Sequence, residues 1–498
     1  MPTLPTQLSL SVLVPVYNER HLVGSSLGRL RLLESSPLLR DVQVIVVDDG
    51  STDGTREVLR KFEREELARA GRTLRWEFLR HEENRGKGAA IQTALERADG
   101  EVSVIHDADL EYDPKDLLSL AAVFTQHHAD AVFGSRFAGA QVRRALFFHH
   151  ELGNRLLTFA SNLLSDVNLT DMETGYKAVR TDLLKSIPLV SNDFRLEPEL
   201  TLKLAKRGAR IFEVPISYAG RTYQEGKKIG WRDGFRAFGA LLQFSLSDQI
   251  YRDDEYGSQI LGRLSRAPRY NAWMAEVVRR YCGERVLEIG SGVGNLTRHL
   301  IPRALYTVSD INPGYLKSLE ALQEDRPYLE VSYCDVTKGE SFPRTAEGYD
   351  TVICLNVIEH VGDDREALRN IRESLAPGGR AIILVPQGPG NFGTLDTVLG
   401  HERRYTEETL RALAADCAFE VDEMVPFNRS GTPAWFLNGK ILKRQTFGLF
   451  QIWMLNALTP VFRAVDGVMP LPPLSLIAVL RKPATAARLV QSDERAAS

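Results

Sequence analysis

Over the first 230 residues, short apolar runs alternate with stretches of helical spacing. "LSLSVLVPV" from Leu8, "VQVIVVDD" from Val42, "EVSVI" before His106 and "ADAVFGS" from Ala129 read as strands. Between them "GSSLGRLRLLE", the segment from about Thr55, and "GAAIQTALERA" carry apolar residues at helical intervals. This alternation predicts a parallel, doubly wound α/β sheet, whose ligands bind at the carboxyl ends of the strands. The polar motifs fall at those ends. From Arg285 a second series begins with "RVLEIGSGVGNLTRHL", again strand, glycine turn and helix. Its last strand, "LSLIAVLRK", reads as a closing edge strand.

A chain of 498 residues suggests two or three domains. The pattern divides it into 1–235, a helical joint at 236–268, a second domain at 269–483 and a frayed tail at 484–498. With 62 Lys and Arg against 65 Asp and Glu, the net charge of −3 gives no reason to expect nucleic acid as a partner. Cys282, Cys334, Cys354 and Cys417 form no C-x-x-C pair and read as reduced thiols of a cytoplasmic protein. No signal peptide opens the chain, and no run approaches the ~20 apolar residues of a spanning helix. "FGLFQIWMLNALTPVF" (Phe447 to Phe462) is interrupted by Gln451, Asn456 and Pro460. It reads as a buried or capping helix, with a place on a membrane surface as the alternative.

Chemistry concentrates at "HDADLEYDP". Asp107 and Asp109, two residues apart just past an apolar run, aim two hard oxygen donors at one point, as Mg²⁺ or Mn²⁺ sites require. Lys87 stands between two glycines that let the backbone approach a ligand closely. Asp48 and Asp53 suit a turn and a helix cap as well as a ligand contact. In the second half, Gly290, Gly292 and Gly294 form a G-x-G-x-G; Asn295 stands where a dinucleotide fingerprint places its third glycine. That spacing leans away from hydride transfer.

The ordered set "VPVYNER", "VVDDGSTDGT", "NRGKGAA", "DADLEYDP", "GSRF" and "DMETGYK" resembles the family 2 glycosyltransferases of GT-A fold, a Rossmann-like fold for nucleotide-diphospho-sugars. It most resembles the dolichyl- and polyprenyl-phosphate sugar synthases, over residues 8 to 230. The resemblance implies metal binding by Asp107, Asp109 and Glu111, and nucleotide-sugar contacts from Pro15, Tyr17, Glu19, Asp48, Asp49 and Lys87. Arg221, Lys227 and Lys228, in "RTYQEGKK", would close over the donor diphosphate. An anionic phosphate acceptor calls for Arg136 and the nearby Arg143 and Arg144. A hydroxyl acceptor calls for a general base, with Asp171 and Glu173 at hand. Both acceptors, polyprenyl phosphate and glycan, stay open, and transfer in either case would be inverting.

The second series resembles the class I S-adenosylmethionine (SAM)-dependent methyltransferases over residues 269 to 482. It implies SAM contacts from Glu288, Gly290, Gly292 and Gly294, from Asp310 at the end of "LYTVSD", from Asp335 in "VSYCDVTK" and from Asn356. His360 in "IEHV" and His401 in "GHERRYT" are candidate bases for methyl transfer, His360 also fitting a structural or SAM-adjacent place. No metal cluster is evident in this half. The combined expectation is a bifunctional enzyme joining both activities in one glycan or glycolipid pathway, at most peripheral to the inner face of a membrane. Two alternatives remain: a hydroxyl-directed transferase joined to an unrelated methyltransferase, or a domain kept for binding alone.

Overall fold

Leu- and Val-rich runs occupy the centres of two sheets. The first, β1 (Leu8–Val16), is buried except at Pro15 and pairs in parallel with β2 (Leu39–Asp49) and β4 (Val102–Ile105), β3 (Leu74–His81) lying outside β2. Successive residues divide between two cores. Val12, Val14, Val44 and Val46 face one, Leu13, Ile45 and Val47 the other, with the two-residue period of a strand. Helices Val23–Arg29 and Lys115–Gln126 cover the first core; Lys87–Arg97 and Leu196–Lys206 cover the second. This computed structural model describes residues 5–69, 74–139, 144, 148–221, 231–247, 249–250, 262–323, 326–444 and 447–484. The chain divides into two compact units, Met1–Asp253 and Asp254–Ser498.

With β5 (Ala131–Ser135), β6 (Lys177–Arg180) and β7 (Ile211–Pro215), the first sheet runs β3-β2-β1-β4-β6-β5-β7. It is not wholly parallel, because β6 runs against both β4 and β5. Lys177 pairs with Phe133 and Arg180 with Val102, so β6 begins beside the carboxyl ends of its neighbours. The reversal delivers the loop before β6, with Asp171 and Glu173, to the sheet end that holds Asp107. A parallel strand in that slot would deliver the loop after it.

Helix Trp231–Leu246, read from sequence as reaching into a joint, packs within the first unit against helices Phe148–Ser165 and Leu196–Lys206. Met172, Leu202, Ala240, Leu241 and Phe244 form that contact. The outer faces of the two longer helices keep large apolar side chains in solvent, Leu156, Phe159 and Leu163 on one and Phe235, Leu242 and Leu246 on the other. The tail from residue 485 lies outside the described residues.

In the second unit β8 (Arg285–Ile289), β9 (Leu305–Asp310), β10 (Leu329–Tyr333), β11 (Tyr349–Leu355) and β12 (Leu375–Pro386) are mutually parallel, in the order β10-β9-β8-β11-β12. β13 (Glu420–Phe427) and β14 (Ser475–Arg481) complete the sheet, with β14 antiparallel between β12 and β13. The sequence "LSLIAVL" therefore does not close the edge. Its unbroken apolar run, buried from Leu476 to Leu480, suits an interior strand, whereas β13, largely exposed or half-buried, is the edge. Helix Leu449–Val465 differs from the buried reading: Ile452 and Thr459 turn inward, while Phe450, Trp453 and Val461 stay exposed. Among the described residues no helix is long and apolar enough to cross a membrane.

Candidate active sites

β4 ends at Ile105, and the turn beyond it carries Asp107 and Asp109. Lys87 opens the helix on the neighbouring loop, and its Nζ lies 2.9 Å from Asp107 Oδ1 and 3.0 Å from Glu197 Oε1. Burial opposes the Lys87 charge, yet these two carboxylates outweigh it and raise its pKa. Arg221 reaches three acids at once: Nη2 is 3.1 Å from Asp109 Oδ2, Nε 3.2 Å from Glu111 Oε1 and Nη1 3.5 Å from Glu19 Oε2. Burial, then Asp107 and Glu111, push the Asp109 carboxyl up to about 7. The cleft thus holds more carboxylate than cation. That donor set fits a divalent ion on Asp107 and Asp109.

Glu111, expected as a third metal ligand, holds protein partners here. Its carboxylate accepts from the Tyr218 hydroxyl at 2.7 Å and the Arg221 backbone N–H at 2.9 Å, tying down segment 218–221. Arg144 joins the same segment through its N–H to the Tyr218 carbonyl, 2.8 Å. Asp49 accepts from the N–H groups of Arg85 (2.9 Å) and Gly86 (2.8 Å) and from His81 Nδ1 (2.6 Å), so it shapes the loop before Lys87. Asp48 is buried and closes its turn by accepting from Ser51 N–H, and Asp53 accepts from Thr55 N–H at its helix start. Pro15, Tyr17 and Glu19 follow one another at and beyond the carboxyl end of β1. Lys227, Lys228 and Arg143 lie outside the described residues.

Across the cleft, Arg136 and Asp171 answer each other. Arg136 Nε and Nη2 each donate to Asp171 at 2.7 Å, and the Arg136 backbone N–H adds a third bond at 3.0 Å. The side chains are 10% and 0% exposed. Asp171 spends both oxygens there, which removes it as a free base and neutralises Arg136. Glu173 differs: burial, then Glu197, raise its carboxyl to about 7, and its Oε1 has no hydrogen-bond partner. Lys177 beside it donates to the carbonyls of Met172 (2.7 Å) and Thr174 (2.6 Å) and is lowered by burial to about 8.

The second unit places its glycines at the carboxyl end of β8. Gly290, Gly292 and Gly294 hold φ of 70°, 55° and 77°, a left-handed series that glycine adopts without the cost other residues meet. Gly292 N–H donates to Asp310 Oδ2 at 2.8 Å, locking the loop to the tip of β9. Asp335 follows β10, and Asn356, exposed at φ 54°, follows β11. An open backbone loop flanked by acids at successive strand ends fits SAM. Glu288 is the exception: its buried carboxylate accepts from Thr297 Oγ1 (2.7 Å) and Tyr306 OH (2.8 Å), and burial pushes it up to about 7. It braces the loop from inside the domain. The two histidines, far apart in sequence, meet with ring centroids 4.8 Å apart at 81°.

The profile of glycosyl transferase family 2 matches residues 11–187. Over 230 residues the chain is 32% identical to the undecaprenyl-phosphate mannosyltransferase of Micrococcus luteus, covering 44% of this chain and 86% of that one. The chain belongs to glycosyl transferase family 2. A profile described as a methyltransferase domain matches residues 287–381, so the family 2 domain is followed by a methyltransferase domain. The chain is also 28% identical over 220 residues to the dodecaprenyl-phosphate galacturonate synthase of Rhizobium johnstonii, and 27% identical over 223 residues to glycosyltransferase AglJ of Haloferax volcanii. Each match covers 44% of this chain, and the chain spans 62% and 65% of the length of those two relatives.

Several residues of the glycosyltransferase cleft have no sequence signal of their own. Glu197 lies in "RLEPEL", about a hundred residues from the motif it serves, and only the fold brings it to Lys87. Tyr218 is equally silent. Gly175 had a partial signal in "ETGYK": a Cβ there would stand 2.6 Å from Asp107 Oδ2, so a side chain at this position would displace the carboxylate. In the methyltransferase domain, Glu359 and Asp396, both at His401, were missed.

Proposed function

We propose that the family 2 domain transfers a sugar, with inversion, from a UDP- or GDP-linked donor to a polyprenyl phosphate, and that the methyltransferase domain methylates a product of the same glycan or glycolipid pathway from SAM. The observation that carries the first half is the carboxylate-rich cleft at the ends of β1 and β4. When bound there, a divalent cation on Asp107 and Asp109 would neutralise charge on the departing diphosphate. Lys87, held at Asp107, adds fixed positive charge on that side, and Arg221 holds the 218–221 segment over it. The acceptor oxygen forms its bond to C1 as the bond from C1 to the diphosphate breaks. An anionic phosphate oxygen needs no base for this step, in keeping with an Asp171 already committed to Arg136.

The lipid acceptor gains support from the polyprenyl-phosphate activities named for the Micrococcus and Rhizobium relatives and from the outward apolar faces of helices Phe148–Ser165 and Trp231–Leu246. Seating three of those large side chains in a bilayer surface is worth roughly 5–9 kcal/mol. On this reading the protein works from the surface of a membrane. A hydroxyl acceptor is favoured by one observation, the buried Glu173 carboxyl whose Oε1 has no hydrogen-bond partner.

Purified protein given radiolabelled UDP- and GDP-sugars with Mn²⁺ should label polyprenyl phosphate in vesicles and sediment with them. Asp107→Asn/Asp109→Asn should end sugar transfer while methyl transfer from labelled SAM continues. Phe159→Ser/Phe235→Ser should reduce sedimentation. Transfer to free glycans alone, abolished by Glu173→Gln, would overturn the lipid-phosphate reading in favour of the hydroxyl one.

A further inference from the structure

The short turn Ile358–His360 after β11 buries Glu359 completely, at 0% exposure, and neither of its carboxylate oxygens has a hydrogen-bond partner. A buried carboxylate left that way costs several kcal/mol unless a proton or a cation meets it. Two imidazoles close around it. His401 Nε2 is 3.9 Å from Glu359 Oε1, and the His360 ring stands edge-on to that of His401. One ligand atom from each of the three lies within 4.8 Å of the others, a convergence that no other trio of His, Cys, Asp and Glu reaches among the described residues. Bonds of ~2.0–2.2 Å to a first-row ion set ligands about 3–4 Å apart, so small side-chain rotations bring all three to one centre.

The surroundings are built for it. His401 uses Nδ1 on Asp396 Oδ1 at 2.9 Å, which turns the other nitrogen toward Glu359. Asp396 is itself 0% exposed and fixed by Arg404 Nε (2.8 Å), Gly393 N–H (2.9 Å) and Trp435 Nε1 (3.3 Å). A carboxylate that orients the second nitrogen of a histidine is the usual support of a metal ligand. His360 is exposed, so the trio is open to solvent on that side. Two nitrogens and one oxygen favour Zn²⁺, Co²⁺ or Fe²⁺ over Mg²⁺ or Ca²⁺.

We propose that Glu359, His360 and His401 form a divalent transition-metal site in the methyltransferase domain, whose open positions take an oxygen of the methyl acceptor. The second clause rests on the methyl-transfer reading; the binding of the ion does not. An acceptor hydroxyl on such an ion would give up its proton to solvent more readily, and its oxygen would bond to the SAM methyl carbon as that carbon's bond to the sulfonium sulfur breaks, leaving S-adenosylhomocysteine.

The test uses the full chain carrying Asp107→Asn/Asp109→Asn, stripped with a chelator and titrated with Co²⁺. One equivalent should bind with visible d–d absorption, and Zn²⁺ should displace it. His401→Ala and Glu359→Gln should abolish that spectrum. Asp396→Asn should weaken Co²⁺ binding about 10–100-fold. Retained SAM binding, by calorimetry, shows that each variant is folded. The proposal falls if the parent binds SAM but gives no Co²⁺ spectrum, if Glu359→Gln binds Co²⁺ as tightly as the parent, or if the bands show thiolate charge transfer. Absent methyl transfer with Co²⁺ bound would instead strike only the proposed role of the acceptor.

Discussion

Replacing Asp171 by Asn separates its two roles, because the same substitution has opposite signatures under each. In the structure Asp171 is the buried counter-ion of Arg136, accepting two guanidinium bonds of 2.7 Å and one backbone bond of 3.0 Å. An asparagine can keep its oxygen on the Oδ2 side, but its NH₂ then faces Arg136 Nη2, donor against donor. Arg136 is left as a charge in a side chain only 10% exposed. Breaking a buried pair from one side costs about 3–5 kcal/mol. For a unit of this size, each kcal/mol lowers the melting temperature by about 2–4 °C, so the expected fall is about 6–20 °C. Scanning calorimetry of the full chain reads this directly, with SAM added to mark the transition of the methyltransferase domain. Arg136→Met should cost as much, while Arg136→Met/Asp171→Leu should recover most of the loss, since two apolar groups leave no orphaned charge. A catalytic base would behave differently, losing about 10²–10⁴ in turnover with the melting temperature unmoved. If Asp171→Asn shifts the first unit's transition by less than about 1 °C and still loses that much turnover, the counter-ion account is wrong.

Glu288 supplies a pH test. Its folded pKa of about 7 lies above its ordinary 4.5, so its contribution to stability is full below about pH 4.5 and is lost as pH rises through 7. Glu288→Gln should therefore stabilise the methyltransferase domain by about 2–3 kcal/mol at pH 8 and leave it nearly unchanged at pH 4.5, measured by urea unfolding. Equal effects at both pH values would refute the buried-acid assignment. Gly290 supplies a steric test: it sits at φ 70°, and a Cβ there would lie 2.4 Å from Val357 Cγ2. Gly290→Ala should weaken SAM binding at least tenfold by calorimetry while sugar transfer is unaffected; unchanged affinity would show that the loop does not need this conformation.

What the sequence makes legible is what neighbouring residues decide. Strand runs, glycine turns and the acids at strand ends are local patterns, and from them both domains and the cleft's first acids can be read. The reversal of β6 is not local: nothing in "KAVR" sets its direction, which shows only in its antiparallel pairing with β4 and β5. Roles invert for the same reason. Arg136 and Asp171 read as rival tools for two different acceptors, yet the fold joins them, 35 positions apart, into one ion pair. Glu288 reads as a donor contact because it adjoins the glycines, but on a strand the side chain next to a functional loop can point beneath it, as this one does toward Thr297 and Tyr306. The metal-like trio shows the limit most sharply. His360 and His401 can each be singled out, but the sequence says nothing of the 3.9 Å between His401 and Glu359, nor of Asp396 fixing the imidazole from behind. A site of this kind is defined by which groups lack partners, and that is a property of the folded interior that no spacing rule contains.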